Sequence, residues 1–517
     1  MATVALRRPA ALGRLVSVRV PAGVALGALT LFSIALRVQH LRTPFWIDEG
    51  ISVGISSHPL HEIPGLLRLD GSPPMYYMAL HVWMSLFGDS QVSTHLLSGL
   101  FAALTVPASW WAGRSLFGAR VGWALATLAA INPFMTSYAQ ETRMYTLVVL
   151  LGTICTACFL HAYVFRRRKY VVPFGLSLAA MLYTHNWTDF YIVGLLIAVA
   201  FAWRDSDNRR LLLRDAAVGF GIAALLYAPW VPTFIDQVLH TGAPWATRPT
   251  PKKLIHAPDA LLGNFAGTIA VLLAGGTGVV EFWHRSRRER RVLIPALLSL
   301  SLGTILVAWL TSQASPAWAT RYLAVAVAPL LMLGAVALFH ASRLGLVAFC
   351  FLLISWTFAG SPSAKSNAHY VSVTFAHQLK PHDLVIATQP EQIPVLHYYL
   401  PPGLTYATEF GIQKDPGVVD WRDGPQHFDR TSVDKQLMPL LKNVRVGHRV
   451  MLVEPIMFFP DNWQAPWSKR VAERTIEYDG ILRGDSRFRL IATVPTNYRL
   501  PGPNPLLGLL FEKVHPG

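Results

Sequence analysis

The sequence predicts an α-helical polytopic membrane protein that carries a separate α/β domain at its C-terminal end. Three observations carry this expectation. Of the 517 residues 52% are hydrophobic and only 14% are charged, where an average soluble domain has roughly 25% charge. Apolar runs of membrane-spanning length recur from residue 21 to residue 360 and then stop. Arginines cluster in the short connections between those runs, which is the pattern that orients spans in a bilayer.

A span needs roughly 20 apolar residues. Runs at 21–40, 94–113, 121–137, 144–165, 170–184, 188–203, 216–235, 260–281, 292–312, 322–340 and 344–360 satisfy or approach that length, about eleven helices in all. The first follows a basic start and has no small-residue cleavage site, so it reads as an uncleaved span. The two runs flanking His185 are short, and one helix through 170–203 is the alternative. Charge decides for two. "RRRK" at 166–169 and "RDSDNRRLLLRD" at 204–215 are both basic, so both belong inside, and an even number of crossings joins them. The same rule places Arg7, Arg8, Arg14, Arg19, Arg114, Arg120 and "HRSRRERR" at 284–291 inside. The segment 361–517 then falls outside, as a soluble domain beside a membrane module of residues 1–360 that includes a long first outer loop, 41–93.

The net charge of +16 and pI of about 9.9 therefore report orientation and attraction to anionic lipid headgroups, and nucleic acid is not an implied partner. Cys155, Cys158 and Cys350 all lie in apolar runs, which leaves no disulfide framework or zinc site. In the first outer loop, "HPLHEIPGLLRLDGSPPMYYMALHVWMSLFG" reads as two short amphipathic helices. In the tail, 383–388, 449–455, 488–494 and 506–514 read as strands and 390–400 as a helix, a small α/β domain with no glycine-rich phosphate loop.

By this topology one outer face holds Asp48, Glu49, Asp70, Glu141, Arg143, His185, Asp189 and Arg321. Ionisable groups at membrane depth are costly and mark functional sites. Each has a plainer reading. Asp48 and Glu49 could end the first helix, though an adjacent pair beside Trp46 favours a site. Asp70 in "DGSPP" reads equally as a turn residue. Glu141 and Arg143 could be a structural ion pair, His185 a satisfied core histidine, and Arg321 an interfacial anchor. Lys252 and Lys253 read as a solvated charge pair. Agreement of so many groups on one face is the stronger argument.

Carboxylates, arginines and aromatic residues at the rim of a bilayer suit sugar transfer from a lipid-linked donor. Arginine clamps an anionic phosphate bidentately, a carboxylate accepts the acceptor's hydroxyl proton, and Tyr and Trp suit sugar faces at headgroup depth. Here the order "WIDEGIS", "DGSPPMYYMALHVWMSLFG", "INPFMTSYAQETRMYTL", "YTHNW" and "ATRYL" resembles the bacterial membrane glycosyltransferases of the GT-C superfamily, in the family-39, protein-mannosyltransferase-like and ArnT-like branch. The resemblance covers roughly the first two-thirds of the chain. It implies a GT-C-like fold, a polyprenyl-phosphate sugar donor, an extracytoplasmic acceptor (protein, glycan or lipid) and a site facing out of the bacterial cytoplasmic membrane.

Residue by residue, it implies Asp48 as the catalytic acid at the end of the first helix, Glu49 as its neighbour, and Glu141 and Arg143 as the acid and base of the second outer loop. In the expected mechanism Asp48 removes the acceptor proton, or orients the hydroxyl while Glu49 or Glu141 removes it. Arg321 and Tyr322 match a late RY pair at the donor, and Asp70, Tyr76, Tyr145 and His185 are the remaining candidates for donor or substrate contact. Ser72 stands where many members of the branch have histidine before the Pro-Pro. A divalent metal serves some members of the superfamily and not others, and no cluster in this sequence is dedicated to one. A lipid-linked sugar transporter or flippase, or a non-catalytic scaffold built on the same fold, are the alternatives. No internal repeat of the transporter kind stands out.

Overall fold

A computed structural model describes residues 21–285, 291–359, 364–457, 463–494 and 504–516. Arg7, Arg8, Arg14 and Arg19, residues 286–290 of the basic run, and the expected domain boundary at 360/361 lie outside the described residues.

A helix occupies each apolar run. Among the described residues six are long and apolar enough to cross a membrane: Gln91–Phe117, Tyr145–Val164, Arg209–His240, Phe265–Arg285, Leu293–Ala314 and Thr320–His340. Ala22–Arg37, Ala119–Ile131 and Ser342–Thr357 are shorter apolar helices. The expected count of about eleven is therefore not reached by length and composition, because polar and proline breaks cut several runs. Asn132 stops one at Ile131 and caps the next, accepting the Met135 N–H at 3.1 Å. The region around His185 forms two helices, Val171–Leu182 and Thr188–Arg204. Thr320–His340 is the central helix, with 89% of its apolar window buried. The chain is an integral membrane protein.

The basic connections gather at one end. Arg168 pairs with Asp215 at 2.9 Å, Arg166 bonds Ser206, and Arg167 reaches the Ser115 carbonyl at 3.5 Å. The loops carrying the candidate residues gather at another.

Early elements build that second end: α1 (Ala22–Arg37), α2 (Ile47–Ser56), α3 (Ile63–Asp70), α4 (Met75–Phe87) and α5 (Gln91–Phe117). The two amphipathic helices expected here are α3 and α4. The further helix, α2, corrects the expectation that Asp48 and Glu49 end the first helix. Pro44 pushes Thr43 out of helical conformation, Trp46 is extended, and a new helix starts at Ile47. Both carboxylates thus lie in the first turn of α2, where the helix dipole favours negative charge.

The tail forms one six-stranded sheet: β1 (Leu384–Ala387), β2 (Thr405–Thr408), β3 (Gly411–Ile412), β4 (Arg449–Pro455), β5 (Phe488–Thr493) and β6 (Leu506–Lys513), in the order β3-β2-β1-β4-β6-β5. β1 runs parallel to β2 and β4, and the remaining pairs are antiparallel. Side chains alternate across it: Val385 and Met451 pack under Ala368–Ala376 and Ile393–Tyr399, while Ile386 and Leu452 meet Val433–Asn443 and Pro466–Gly484. β2 (TYAT) and β3 (GI) lie outside the strands expected from the sequence, since neither carries an apolar run like those of β1 and β4.

Glycines let this domain sit directly on α2. A Cβ at Gly50 would stand 2.6 Å from the Val395 nitrogen, and one at Gly54 would overlap the Gly417 carbonyl. Phe45 and Val53 enter the domain's own core. Farther along, the Trp421 N–H bonds the Leu69 carbonyl at 3.0 Å and the Asp423 N–H bonds the His240 carbonyl at 2.7 Å.

Candidate active site

Successive residues of a helix point about 100° apart, and this sends the two acids of α2 in different directions. Glu49 turns inward and is buried. Its Oε1 accepts the Thr142 N–H at 2.8 Å and lies 2.6 Å from His95 Nε2, while Oε2 accepts the Trp46 N–H at 3.4 Å. His95 Nδ1 is 2.8 Å from the Leu41 carbonyl, so it carries a proton and donates it there. A further proton is shared between Nε2 and Glu49.

Asp48 instead faces a cavity of about 870 Å³ between the membrane helices and the sheet domain. Its Oδ2 lies 3.3 Å from Arg321 Nε and 4.0 Å from Arg143 Nε. None of these three buried atoms makes a hydrogen bond among the described residues. Arg143 is held through Nη1, which donates to the Asp48 carbonyl (3.2 Å), Ser52 Oγ (3.0 Å) and Tyr77 Oη (3.2 Å). Arg321 is framed by the rings of Trp46, Trp245 and Tyr322, each 5.2–5.5 Å from its Cζ. Aromatic faces hold a guanidinium in place without using its N–H groups.

Asp48, Asp70, Arg143, His185, Asp189, Arg321 and Tyr322 all line this cavity. Burial raises the Asp70 carboxyl above its ordinary range, opposed by Ser72 and Arg143. His185 Nδ1 accepts the Trp187 N–H at 3.1 Å. Burial, then Arg143 and Arg321, hold its imidazole down to about 3, so it is neutral with the proton on Nε2. Tyr145 is fully buried, and its ring lies 5.9 Å from His185 and 6.5 Å from Tyr322.

Four sequence candidates do not line the cavity: Tyr145, buried behind His185 and Tyr322, and Glu49, Glu141 and Tyr76. Glu49 is bonded inside the protein, as above. Glu141 is not paired with Arg143: it pairs with Lys365 beside a small adjoining pocket, while Arg143 turns to Asp48. Burial raises the Glu141 carboxyl, and Lys365 opposes that shift. Tyr76 is turned into the core, its hydroxyl 3.0 Å from Ser98 Oγ, and its neighbour Tyr77 is the tyrosine on Arg143. Lys252 and Lys253 are exposed on a short helix away from the cavity.

Sequence reasoning missed His95, Tyr77 and Lys365. Lys365 lies 224 residues from its partner, with the ring of Trp46 4.6 Å away, and no local pattern could reveal it. It also missed the wall given by the sheet domain, where Glu391 accepts from Trp467 Nε1 at 3.2 Å. Among the described residues no group of three or more His, Cys, Asp or Glu side chains is placed to hold a metal ion.

The family model described as dolichyl-phosphate-mannose-protein mannosyltransferase matches residues 71–232. A search of curated protein sequences gives no match. Among solved structures, ArnT from Cupriavidus metallidurans in the apo state superposes with a TM-score of 0.60 at 16% identity, over 94% of this chain and 97% of that one. The chain has the GT-C fold. The same ArnT bound to undecaprenyl phosphate gives 0.60 at 15% identity, again over 94% and 97% of the two chains. The Archaeoglobus fulgidus oligosaccharyltransferase in its apo form gives 0.58 at 11% identity, over 92% of this chain and 80% of that one. The GT-C likeness thus takes in the sheet domain together with the membrane helices.

Proposed function

We propose that this chain is an integral membrane glycosyltransferase that moves a sugar, a hexose or pentose, from a polyprenyl-phosphate donor to an extracytoplasmic acceptor. One observation carries the reading: Arg143 and Arg321 converge on Asp48 inside the cavity with Nε and Oδ2 atoms left unbonded. Two restrained guanidiniums with spare donors suit a phosphate, and the carboxylate between them is freed when that phosphate arrives. The solved ArnT complex with undecaprenyl phosphate supports a lipid donor of this kind.

The reaction is a single inverting displacement. The acceptor oxygen attacks the anomeric carbon, its proton passes to the Asp48 carboxylate, and the bond from that carbon to the phosphate oxygen breaks. The electron pair leaves on the polyprenyl phosphate, whose growing charge Arg143 and Arg321 stabilise. Fixed positive charge in a partly dry site is the main catalytic contribution. Neutral His185 and Tyr322 complete the wall around the reacting centre. In this reading the membrane module is residues 1–360, the domain 361–517 lies outside the bacterial cytoplasmic membrane with the site, and the acceptor reaches the cavity from there.

The test is transfer by purified protein in nanodiscs, with polyprenyl-phosphate sugars as donors, a membrane extract as acceptor, and Asp48→Asn beside wild type. The expected result is a sugar-specific product that the variant makes at least about 100-fold more slowly, the range for loss of a general base. Equal product from both would remove Asp48 from the chemistry. Lipid movement with no covalent product would make the protein a transporter.

A further inference from the structure

One corner of the cavity is lined by Asp70, Asn186 and Gln237. Gln237 is 2% exposed, and its Nε2 donates to the carbonyls of Leu67 (2.9 Å) and Ser72 (3.2 Å). Asn186 Nδ2 donates to the Gly71 carbonyl at 2.9 Å. These backbone carbonyls only accept, so they fix which end of each amide is the NH2. The oxygens, Gln237 Oε1 and Asn186 Oδ1, are buried and have no hydrogen-bond partner among the described residues. Gly71 makes this packing feasible: it closes α3 at φ 95°, and a Cβ there would crowd Thr241 Oγ1.

A buried acceptor left unbonded is costly, so two in residues lining the same cavity call for a ligand that donates. With the Asp70 carboxyl beside them, the corner is built almost wholly of acceptors. Arg143 is a neighbour of Asp70, so the corner adjoins the proposed phosphate clamp. On the proposed function, we infer that this corner is a sugar subsite that selects a ring presenting hydroxyl or amino hydrogens and rejects a uronate. Gln237 and Asn186 are its specificity-determining residues. A sugar carboxylate would set negative charge against Asp70 and two amide oxygens, whereas each hydroxyl or amine satisfies an orphaned acceptor. Because the corner adjoins the phosphate clamp, the ring is the donor's.

The test uses the full-length protein in nanodiscs and undecaprenyl-phosphate sugars in matched neutral, amino and uronate forms of glucose, mannose and galactose, with arabinose added. Neutral or amino forms are expected to transfer with kcat/KM at least about tenfold above the matching uronate. Gln237→Met and Asn186→Leu should each lower kcat/KM for the preferred sugar about tenfold, the effect of one lost hydrogen bond. The loss should appear with a rise in donor KM; a rise in acceptor KM alone, with donor KM unchanged, overturns the inference. Uronates used as well as neutral sugars overturn the inference and leave the glycosyltransferase reading standing. Unchanged kcat/KM in both folded variants does the same. No transfer from any donor overturns both. Should a variant fail to fold, the wild-type panel still decides.

Discussion

Glu49 is the acid whose role the structure changes most, and its substitution is the sharpest test of the geometry. In Glu49→Gln the atom at the Oε1 position must still face both the Thr142 N–H and His95 Nε2, which lie 2.8 and 2.6 Å away. If that atom is oxygen, it accepts from Thr142 but faces the Nε2 lone pair of a neutral imidazole whose one proton stays on Nδ1, donating to the Leu41 carbonyl. If it is nitrogen, the Thr142 bond is lost. Either way one buried polar group goes unmatched, at about 1–3 kcal/mol. Glu49→Ala strips the acceptor from His95, Thr142 and Trp46 together, and about 3–5 kcal/mol is expected, as for half of a buried charge pair. Equilibrium unfolding of the purified protein in detergent reads both numbers, and His95→Ala combined with Glu49→Ala should cost less than their sum by at least about 0.5 kcal/mol. The transfer assay should show Glu49→Gln losing activity because Thr142 carries Glu141 on one side and Arg143 on the other. Wild-type stability in Glu49→Ala would refute the reasoning. So would a folded Glu49→Gln with normal KM values and a kcat about 100-fold lower, since that pattern belongs to a group in the reaction itself.

Other expectations follow from the same geometry. Arg321→Lys keeps the charge but loses the planar fork and the ring contacts, so donor kcat/KM should fall by about 10- to 100-fold, with circular dichroism unchanged. His185 sits at about 3 when folded against 6.5 ordinarily. Between those values the unfolded chain binds the extra proton, so this group withdraws stability as pH falls from 6.5 toward 3. His185→Gln should flatten that part of a melting-temperature profile, and an unchanged slope would show the imidazole is charged. Gly54→Ala drives a methyl group into the Gly417 carbonyl. It should cost about 1–3 kcal/mol and speed proteolysis between the membrane helices and the sheet domain, whereas Gly65→Ala, with open space around it, should do neither.

Much was legible in the sequence because it depends on short-range patterns. Long apolar runs located the helices, short runs rich in β-branched and other apolar residues located β1, β4, β5 and β6, and the basic flanks divided Val171–Leu182 from Thr188–Arg204. The residue types on one face pointed to Asp48, Asp70, Arg143, His185 and Arg321, the family resemblance added Tyr322, and all of these line the cavity. What failed was angle and partner. Adjacent letters in "DE" and in "YY" diverge by the helical step, so Asp48 and Tyr77 reach the clamp while Glu49 and Tyr76 do not.

Where charge and apolar length lie can be read along the chain, since a bilayer penalises every misplaced ionisable group and every short span one residue at a time. Which charges meet depends on the packed fold. The pairing of Glu141 with Lys365, of Glu49 with His95, and of Asp48 with two arginines joins segments far apart in the chain. Such contacts are set by how helices pack and by the glycines that let the sheet domain close on α2, and no local pattern encodes that packing.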